Sequence, residues 1–479
     1  MRVEPSDSSE PTESVGAAEA SSMAEASVGG ERASTTARRR VHRGQPRPLR
    51  DVGRWLRVLG PGLITGAADD DPSGITTYAQ TGATFGFGQL WLALYMLPLL
   101  IGIQEMCGRI GLVTGQGIAG VVRRHYRREV ALGAVGLVVI ANTINVGADL
   151  GAMAVATRLL IPAVPSAVLL VLYAGGILAL EIFIPYRKYA RVLKVLTLSL
   201  LAYVITGLIV APNWLTVLRA TVVPTIHFNV TFLMLVVAVL GTTITPYLFF
   251  WQASEEVEED LTHHRHHSLE HDGHRLAQAL RLKLRGLRVD TVLGMVASEI
   301  TTWFIIMTTA ATLHAHGVTS ITSADQAASA LEPLVHTFAY AGVLARGLFA
   351  LGIIGTGLLA VPILAGSAAY GVAESLDWPE GLSRPVGRAR GFYAVIAAAT
   401  LVGLLLNFVG VDPIQALVYT AVLNGVAAVP LLVVLMLVAN NRTIMGIHVN
   451  GRLANGLGLL TTLAMGAAAV ATIASLWWH

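Results

Sequence analysis

The chain has 479 residues, of which 54% are hydrophobic and only 13% are charged, and its formal net charge is +3. Soluble domains carry about 25% charged residues, so this composition excludes an ordinary water-soluble fold, and the small net charge gives no support to nucleic-acid binding. A single cysteine, Cys107, excludes a disulfide framework and a thiolate metal cluster.

The predicted elements begin after a polar N-terminal segment. Residues 1–50 have almost no large apolar side chain and are predicted to be a disordered cytoplasmic tail. Across 51–479, apolar stretches long enough to cross a hydrocarbon core of about 30 Å recur, which predicts one all-α polytopic membrane domain with about eleven transmembrane helices. Their predicted ranges are 56–84, 89–112, 130–160, 164–184, 188–211, 230–253, 288–313, 340–375, 391–409, 412–440 and 453–477.

Basic residues cluster in alternate loops, after the second, fourth, sixth, eighth and tenth predicted helices. By the positive-inside rule these loops are cytoplasmic, which predicts a multi-pass cell-membrane protein in a lipid bilayer, with its N-terminus in the cytoplasm and its C-terminus outside. The loop at 254–287 is rich in histidine, from His263 to His274. A solvated cytoplasmic insertion is expected there, and zinc or nickel binding is the alternative.

The first and sixth predicted helices are interrupted in mid-span by proline and polar residues. The interruptions read Asp69-Asp70-Asp71-Pro72-Ser73-Gly74 and Thr242-Thr243-Ile244-Thr245-Pro246-Tyr247. Proline removes a helical hydrogen bond, and broken helices at matching places in two five-helix halves predict an inverted repeat with a binding site near the bilayer midplane. The repeats would cover about 55–212 and 228–440, with an extra helix at about 453–477.

Intramembrane carboxylates are costly, so they are candidates for function. Asp71 is the leading candidate for a cation ligand, and the alternative is a cap on the second half-helix. Asp69 and Asp70 are expected to face an aqueous vestibule or to cap backbone groups. Glu299, in the seventh helix, is expected either to accept hydrogen bonds from the water shell of an ion or to pair with an arginine.

Two further pairs lie one helical turn apart. Thr420 and Asn424, in the tenth helix, are candidates for the transport pathway. Glu105 and Arg109, in the second helix, are expected to form a structural ion pair.

Three motifs carry a resemblance to a known family. They are Gly60-Pro61-Gly62-Leu63 followed by Asp71-Pro72-Ser73-Gly74, Gln104 followed by Arg109-Ile110-Gly111-Leu112-Val113-Thr114-Gly115, and Pro185-Tyr186-Arg187-Lys188 followed by Val192-Leu193-Lys194. Over about 55–440 the chain resembles the Nramp family of divalent metal transporters. The resemblance implies a LeuT-like fold, in which a metal binds between broken helices 1 and 6 and moves by alternating access.

The departures from the family pattern bear on the choice of metal. Asp71 matches a ligand of the family motif Asp-Pro-Gly-Asn, whereas Gly74 stands at the Asn position. Thr245 and Tyr247 stand at the Met and His positions of the motif Met-Pro-His, and a backbone carbonyl ligand maps onto Thr242. Fewer ligands, all of them oxygen, imply an ion that keeps more water, as Mg²⁺ does. This pattern resembles the Nramp-related magnesium transporter branch.

The third helix departs from the family as well. Asn145 and Ala148 stand where proton-coupled relatives carry Asp and Glu. Transport without proton coupling is therefore expected, unless the nearby Asp149 replaces that route.

The leading functional hypothesis is transport of Mg²⁺, and also Mn²⁺, as substrate, by a monomer that has no cofactor and is not an enzyme. A proton-coupled Mn²⁺/Fe²⁺ importer and a sodium-coupled organic-solute transporter of the same fold are the alternatives. Neither a repeated pore loop, as in channels, nor a nucleophile and base for catalysis is visible in the spans.

Overall fold

The computed structural model describes residues 61–184, 197–210, 213–264, 273–335 and 340–477, and these residues are almost entirely helical. The α-helices in chain order are α1 Pro61–Asp69, α2 Pro72–Phe85, α3 Trp91–Thr114, α4 Ile118–His125, α5 Arg128–Leu160, α6 Ser166–Phe183, α7 Leu201–Val210, α8 Trp214–Val222, α9 Val230–Thr243, α10 Pro246–His264, α11 Gly273–Thr312, α12 Ala324–Ser329, α13 Glu332–Val335, α14 Ala341–Leu376, α15 Arg390–Leu406, α16 Pro413–Asn440, α17 Arg442–Met445 and α18 Arg452–Trp477.

Eight of the described helical segments are long and apolar enough to cross a membrane. Two shorter apolar helices, α7 and α15, and the interrupted pair α1 and α2 account for the other predicted spans. The fifth predicted helix, at 188–211, lies partly outside the described residues. The N-terminal tail lies wholly outside them.

Both predicted interruptions are present. α1 ends at Asp69 and α2 begins at Pro72, while α9 ends at Thr243 and α10 begins at Pro246. Proline is favoured in the first turn of a helix because its missing N–H would have no intrahelical partner there. Each break therefore becomes the start of a new half-helix, which confirms the prediction of broken helices 1 and 6.

The helices around the predicted loop at 254–287 reach further than the hydropathy indicates. α10 continues to His264, and α11 already begins at Gly273. Hydropathy reports where a helix leaves the apolar layer, whereas the helix ends where its backbone hydrogen bonds end. The histidines between residues 265 and 272 lie outside the described residues.

Glycines let several helices approach each other closely. A Cβ atom at Gly241 of α9 would lie 2.2 Å from the carbonyl oxygen of Ala421 in α16, and one at Gly66 of α1 would lie 2.4 Å from the carbonyl oxygen of Gly294 in α11. Van der Waals contact between small residues stabilises helix pairs in lipid, where the hydrophobic effect does not hold them together. These contacts hold α11 against α1 and hold α16 against α9, next to the two breaks.

The expected pair of Glu105 with Arg109 is wrong. Glu105 instead accepts two hydrogen bonds from Arg288 of α11, at 2.7 and 3.0 Å, and Arg109 donates to Asn450. Arg288 on the neighbouring helix α11 and Asn450 in the loop before α18 are the partners these groups take instead of each other.

Candidate metal-binding site

Asp71 lies between the two half-helices of the first span and is 1% exposed. Its Oδ1 accepts hydrogen bonds from the Gly74 N–H and from the Ser73 hydroxyl, both at 2.7 Å. Asp71 therefore caps α2, which confirms the alternative prediction, and the cap uses only one of its two carboxylate oxygens.

The second oxygen of Asp71 points toward α5. Its Oδ2 accepts one hydrogen bond, from the Asn145 amide at 3.0 Å. The Thr242 hydroxyl of α9 lies 3.5 Å from Oδ1 and 3.2 Å from the Ser73 hydroxyl. Asp71, Asn145 and Thr242 thus meet although α2, α5 and α9 are far apart in the chain.

These contacts stabilise a negative charge without a basic partner. Within the described ranges, Asp71 makes no ion pair, and its bonded neighbours are neutral N–H and O–H donors. Hydrogen bonds to a charged group contribute about 1.5–3 kcal/mol each. A carboxylate oxygen offers about two acceptor positions, so Oδ2 keeps one free for a cation.

Gly74 lies next to this cluster without adding a ligand. A Cβ atom there would be 3.2 Å from the Thr242 hydroxyl oxygen and 3.3 Å from the Asp69 carbonyl oxygen. A side chain at this position would therefore enter the space between α2 and α9. The glycine leaves that space free of side-chain atoms.

Thr245 and Tyr247 flank the second break. The Thr245 side chain is fully buried, and its hydroxyl has no hydrogen-bond partner among the described residues. The Tyr247 hydroxyl donates to the Ala68 carbonyl oxygen of α1 at 2.7 Å, and its own carbonyl oxygen accepts from Ser367 of α14. Thr245 is thus available to an ion, whereas Tyr247 joins α10 to α1.

Asp149 and Asn424, two further predicted residues, have buried polar groups. Asp149 lies one turn beyond Asn145 on α5, close enough for its charge to interact with that of Asp71, and neither of its oxygens has a partner in the described part of the chain. The Asn424 amide of α16 is also buried and without a described partner. Ala148, beside Asp149, offers no polar atom. The roles of Asp149 and Asn424 stay predictions.

Asp69 and Asp70 lie against α11, the helix that also carries Glu299. Asp69 and Asp70 are 0% and 4% exposed, so the expectation that they face an aqueous vestibule is wrong. The Ser298 hydroxyl of α11 donates to Asp69 Oδ2 at 2.7 Å and lies 3.4 Å from Asp70 Oδ1. Glu299 follows Ser298 and pairs with no arginine in the described ranges.

The hydrogen bonds of Ser73 and Ser298 to the aspartates of the first break were not predicted from the sequence. Each serine bonds an aspartate of the first break, and the two bonds lie on different sides of it: Ser73 on the side of α9, Ser298 on α11. The position of Ser73 directly after Asp-Pro was the available signal. Nothing in the sequence pairs Ser298 with Asp69.

Hydrogen bonds also fix α1 to the neighbouring helices. The Gly62 N–H donates to Asp290 Oδ2 of α11 at 2.6 Å, and the Thr65 hydroxyl donates to Gln252 Oε1 of α10 at 2.5 Å. On the other side of the breaks, the hydroxyls of Tyr78 and Thr243 are 3.0 Å apart. The site is therefore closed by polar contacts on both sides.

A family model described as natural resistance-associated macrophage protein-like, Nramp, matches residues 62–475. The chain is similar to a protein named divalent metal cation transporter MntH from Klebsiella pneumoniae, with 26% identity over 427 residues, which is 88% of this chain and 94% of that protein. The matched homologues are metal-ion transporters, a non-enzymatic function, which confirms the prediction that the chain is not an enzyme.

Solved structures share the fold at low identity. The manganese transporter of Eremococcus coleocola superposes with a TM-score of 0.69 at 16% identity, covering 90% of this chain and 88% of that one. MhsT in complex with L-phenylalanine gives 0.57 at 11% identity, covering 87% and 97%. Mhp1, a nucleobase-cation-symport-1 family transporter, gives 0.56 at 14% identity, covering 88% and 92%. These neighbours confirm the predicted LeuT-like fold.

Proposed function

Because this chain belongs to the Nramp family, we propose that it transports a hard divalent cation, Mg²⁺ and also Mn²⁺, across the cell membrane by alternating access and without proton coupling. The names of its relatives, a divalent metal cation transporter and a manganese transporter, support the class of substrate. The choice of metal and the absence of coupling rest on the residues around Asp71.

The proposal rests on Asp71 Oδ2, which is buried and accepts only one hydrogen bond, so that it has an acceptor position left for an ion. The Asp71 carboxylate supplies the charge, and the Thr245 hydroxyl and the Thr242 backbone carbonyl are the further oxygen ligands we assign to the ion. Magnesium favours oxygen ligands and gives up its water reluctantly. A site with few ligands, widened by Gly74, suits an ion that stays partly hydrated.

The proton-coupled Mn²⁺/Fe²⁺ importer is the weaker alternative. A thioether ligand favours softer metals, and the position that would supply it holds Thr245. Asn145 cannot exchange a proton near neutral pH, and the Tyr247 hydroxyl is engaged with the Ala68 carbonyl. Asp149 is the one residue among these that could restore a proton route.

The driving force need not include protons. A membrane potential of 100 mV contributes about 2.3 kcal/mol per elementary charge, and a divalent ion carries two. Inward movement is therefore favourable from the potential alone. We assign the N-terminus to the cytoplasm from the basic loops and take the transporting unit to be a monomer.

Alternating access requires α1 to move relative to α10 and α11. The bonds from Gly62 to Asp290, from Thr65 to Gln252 and from Tyr247 to Ala68 hold α1 in place. Opening on that side would break these bonds. The contact of Tyr78 with Thr243 would break when the other side opens.

Proteoliposomes loaded with a metal indicator and a pH dye test the proposal. With the potential clamped, Mg²⁺ and Mn²⁺ are expected to enter without acidification, and liposomes without protein set the background. Acidification that follows metal uptake and disappears in Asp149→Asn would favour the proton-coupled alternative.

A further inference from the structure

We propose that Asp69, Asp70 and Glu299 form a second cation site, which takes a hydrated divalent metal ion and lies beside the Asp71 site. The class of ion rests on the proposed function. Binding at the second site does not require transport, so the two proposals can fail separately.

The first argument is the state of the carboxylate oxygens. Both oxygens of Glu299 and the Oδ1 of Asp69 are buried and have no hydrogen-bond partner in the described part of the chain. Glu299 is 4% exposed and Asp69 is 0% exposed. Buried carboxylates normally have partners, so these three free oxygens need either a cation or protons.

The second argument is charge. Asp69, Asp70 and Glu299 are close enough for their charges to interact. Among the described residues, none of the three carboxylates is in an ion pair or bonded to a basic side chain; the donors beside Asp69 and Asp70 are the neutral hydroxyls of Ser298 and Thr302. Removing one charge from water costs several kcal/mol, and three adjacent like charges cost more. A divalent cation would neutralise two of them.

An ion at this site would have to keep several of its waters. No three His, Cys, Asp or Glu side chains in the described ranges form a group that could hold a metal ion by themselves. A magnesium ion usually retains several waters and contacts one or two carboxylates. Thr302, one turn from Ser298 on α11, places a buried hydroxyl beside Asp70, where it can bond such a water.

The second site differs from the Asp71 site in the helices that form it. Asp71 faces Asn145 of α5 and Thr242 of α9, whereas Asp69 and Asp70 face Ser298 of α11. The carboxylates of the first break therefore face two different sets of helices, α5 and α9 on one side and α11 on the other. An ion at the second site would lie at the end of α1, the half-helix that must move during transport.

Equilibrium binding of Mn²⁺ tests this proposal. The full chain in nanodiscs is titrated with Mn²⁺, and free Mn²⁺ is measured by electron paramagnetic resonance. Two ions per chain are expected for the wild type and one for Glu299→Gln and for Asp71→Asn. Glu181→Gln is the matched control, because Glu181 of α6 is also a buried carboxylate without a described partner, and it should still bind two.

Excess Mg²⁺ is expected to displace both ions. If Glu299→Gln does not yield folded protein, Asp70→Asn is titrated in its place with the same expected loss of one ion. The proposal is wrong if the wild type binds one ion and Glu299→Gln leaves that number unchanged, since the carboxylates then hold protons. It is equally wrong if Asp71→Asn binds none.

Discussion

Replacing Asn145 with aspartate should convert the site into a proton-exchanging one. The Asn145 amide nitrogen lies 3.0 Å from Asp71 Oδ2 and donates to it. In Asn145→Asp a carboxylate oxygen takes the place of that nitrogen. Two buried carboxylates at this separation cannot both be ionised unless a cation lies between them.

The size of the effect follows from the distance. Two unit charges 3.0 Å apart repel each other by about 5 kcal/mol at an effective dielectric constant of about 20. This energy corresponds to roughly four powers of ten in a binding constant, so the pair shares one proton near neutral pH. A divalent metal would remove the repulsion and release that proton.

The assay is Mn²⁺ binding to the purified protein in weakly buffered solution with a pH dye. Asn145→Asp is expected to release about one proton per chain more than the wild type, with apparent affinity at the Asp71 site rising roughly tenfold per pH unit while that proton is displaced. Asn145→Ala, which removes the donor without adding charge, is the control and should release no more protons than the wild type. Equal proton release from the wild type and Asn145→Asp would refute the reasoning.

Three other changes test separate parts of the account. Thr245→Met should raise the ratio of Cd²⁺ to Mg²⁺ uptake, because a thioether favours softer metals; an unchanged ratio would mean that Thr245 does not face the ion. Gly241→Ala should lower the free energy of unfolding by about 3 kcal/mol, because its Cβ would lie 2.2 Å from the Ala421 carbonyl oxygen, whereas Gly133→Ala, with nothing within 4 Å, should not. Burial raises the pKa of Glu380, in the loop after α14, from 4.5 to about 9. Between these two pH values the folded state keeps the Glu380 proton, whereas the unfolded state loses it. The protonated carboxyl therefore stabilises the folded state in full below about pH 4.5, and this stabilisation is lost as the pH rises to about 9. Thermal unfolding of Glu380→Gln should accordingly match the wild type at pH 4.5 and show a higher Tm at pH 9, and a lower Tm there would contradict this sign.

The breaks in the first and sixth spans could be predicted from sequence because their cause is local. Pro72 and Pro246 each remove a backbone donor in the middle of an apolar stretch, and the structure starts a new helix at each. The short helices α4 and α8 were not predicted, since neither is long or apolar enough to leave a hydropathy signal. The N-cap of α8, Asn213, is a signal that was available.

The partners of the site residues depend on which helices pack together, and the sequence carries little of that information. The cap formed by Asp71 involves neighbours in the chain and could be predicted. Its bond to Asn145 and the bond from Ser298 to Asp69 join residues more than seventy positions apart. Asp69 and Asp70 were expected near water because acidic residues usually lie there, whereas α11 buries both.

Metal uptake by Asp71→Asn tests the central claim most directly. The substitution removes the charge while keeping the size and shape of the side chain, and Glu181→Gln, which removes another buried carboxylate, in α6, is the control. With initial rates of Mn²⁺ and Mg²⁺ uptake measured in proteoliposomes at equal protein content, Asp71→Asn should transport neither ion and Glu181→Gln should match the wild type. Uptake at the wild-type rate by folded Asp71→Asn would contradict the assignment of the site.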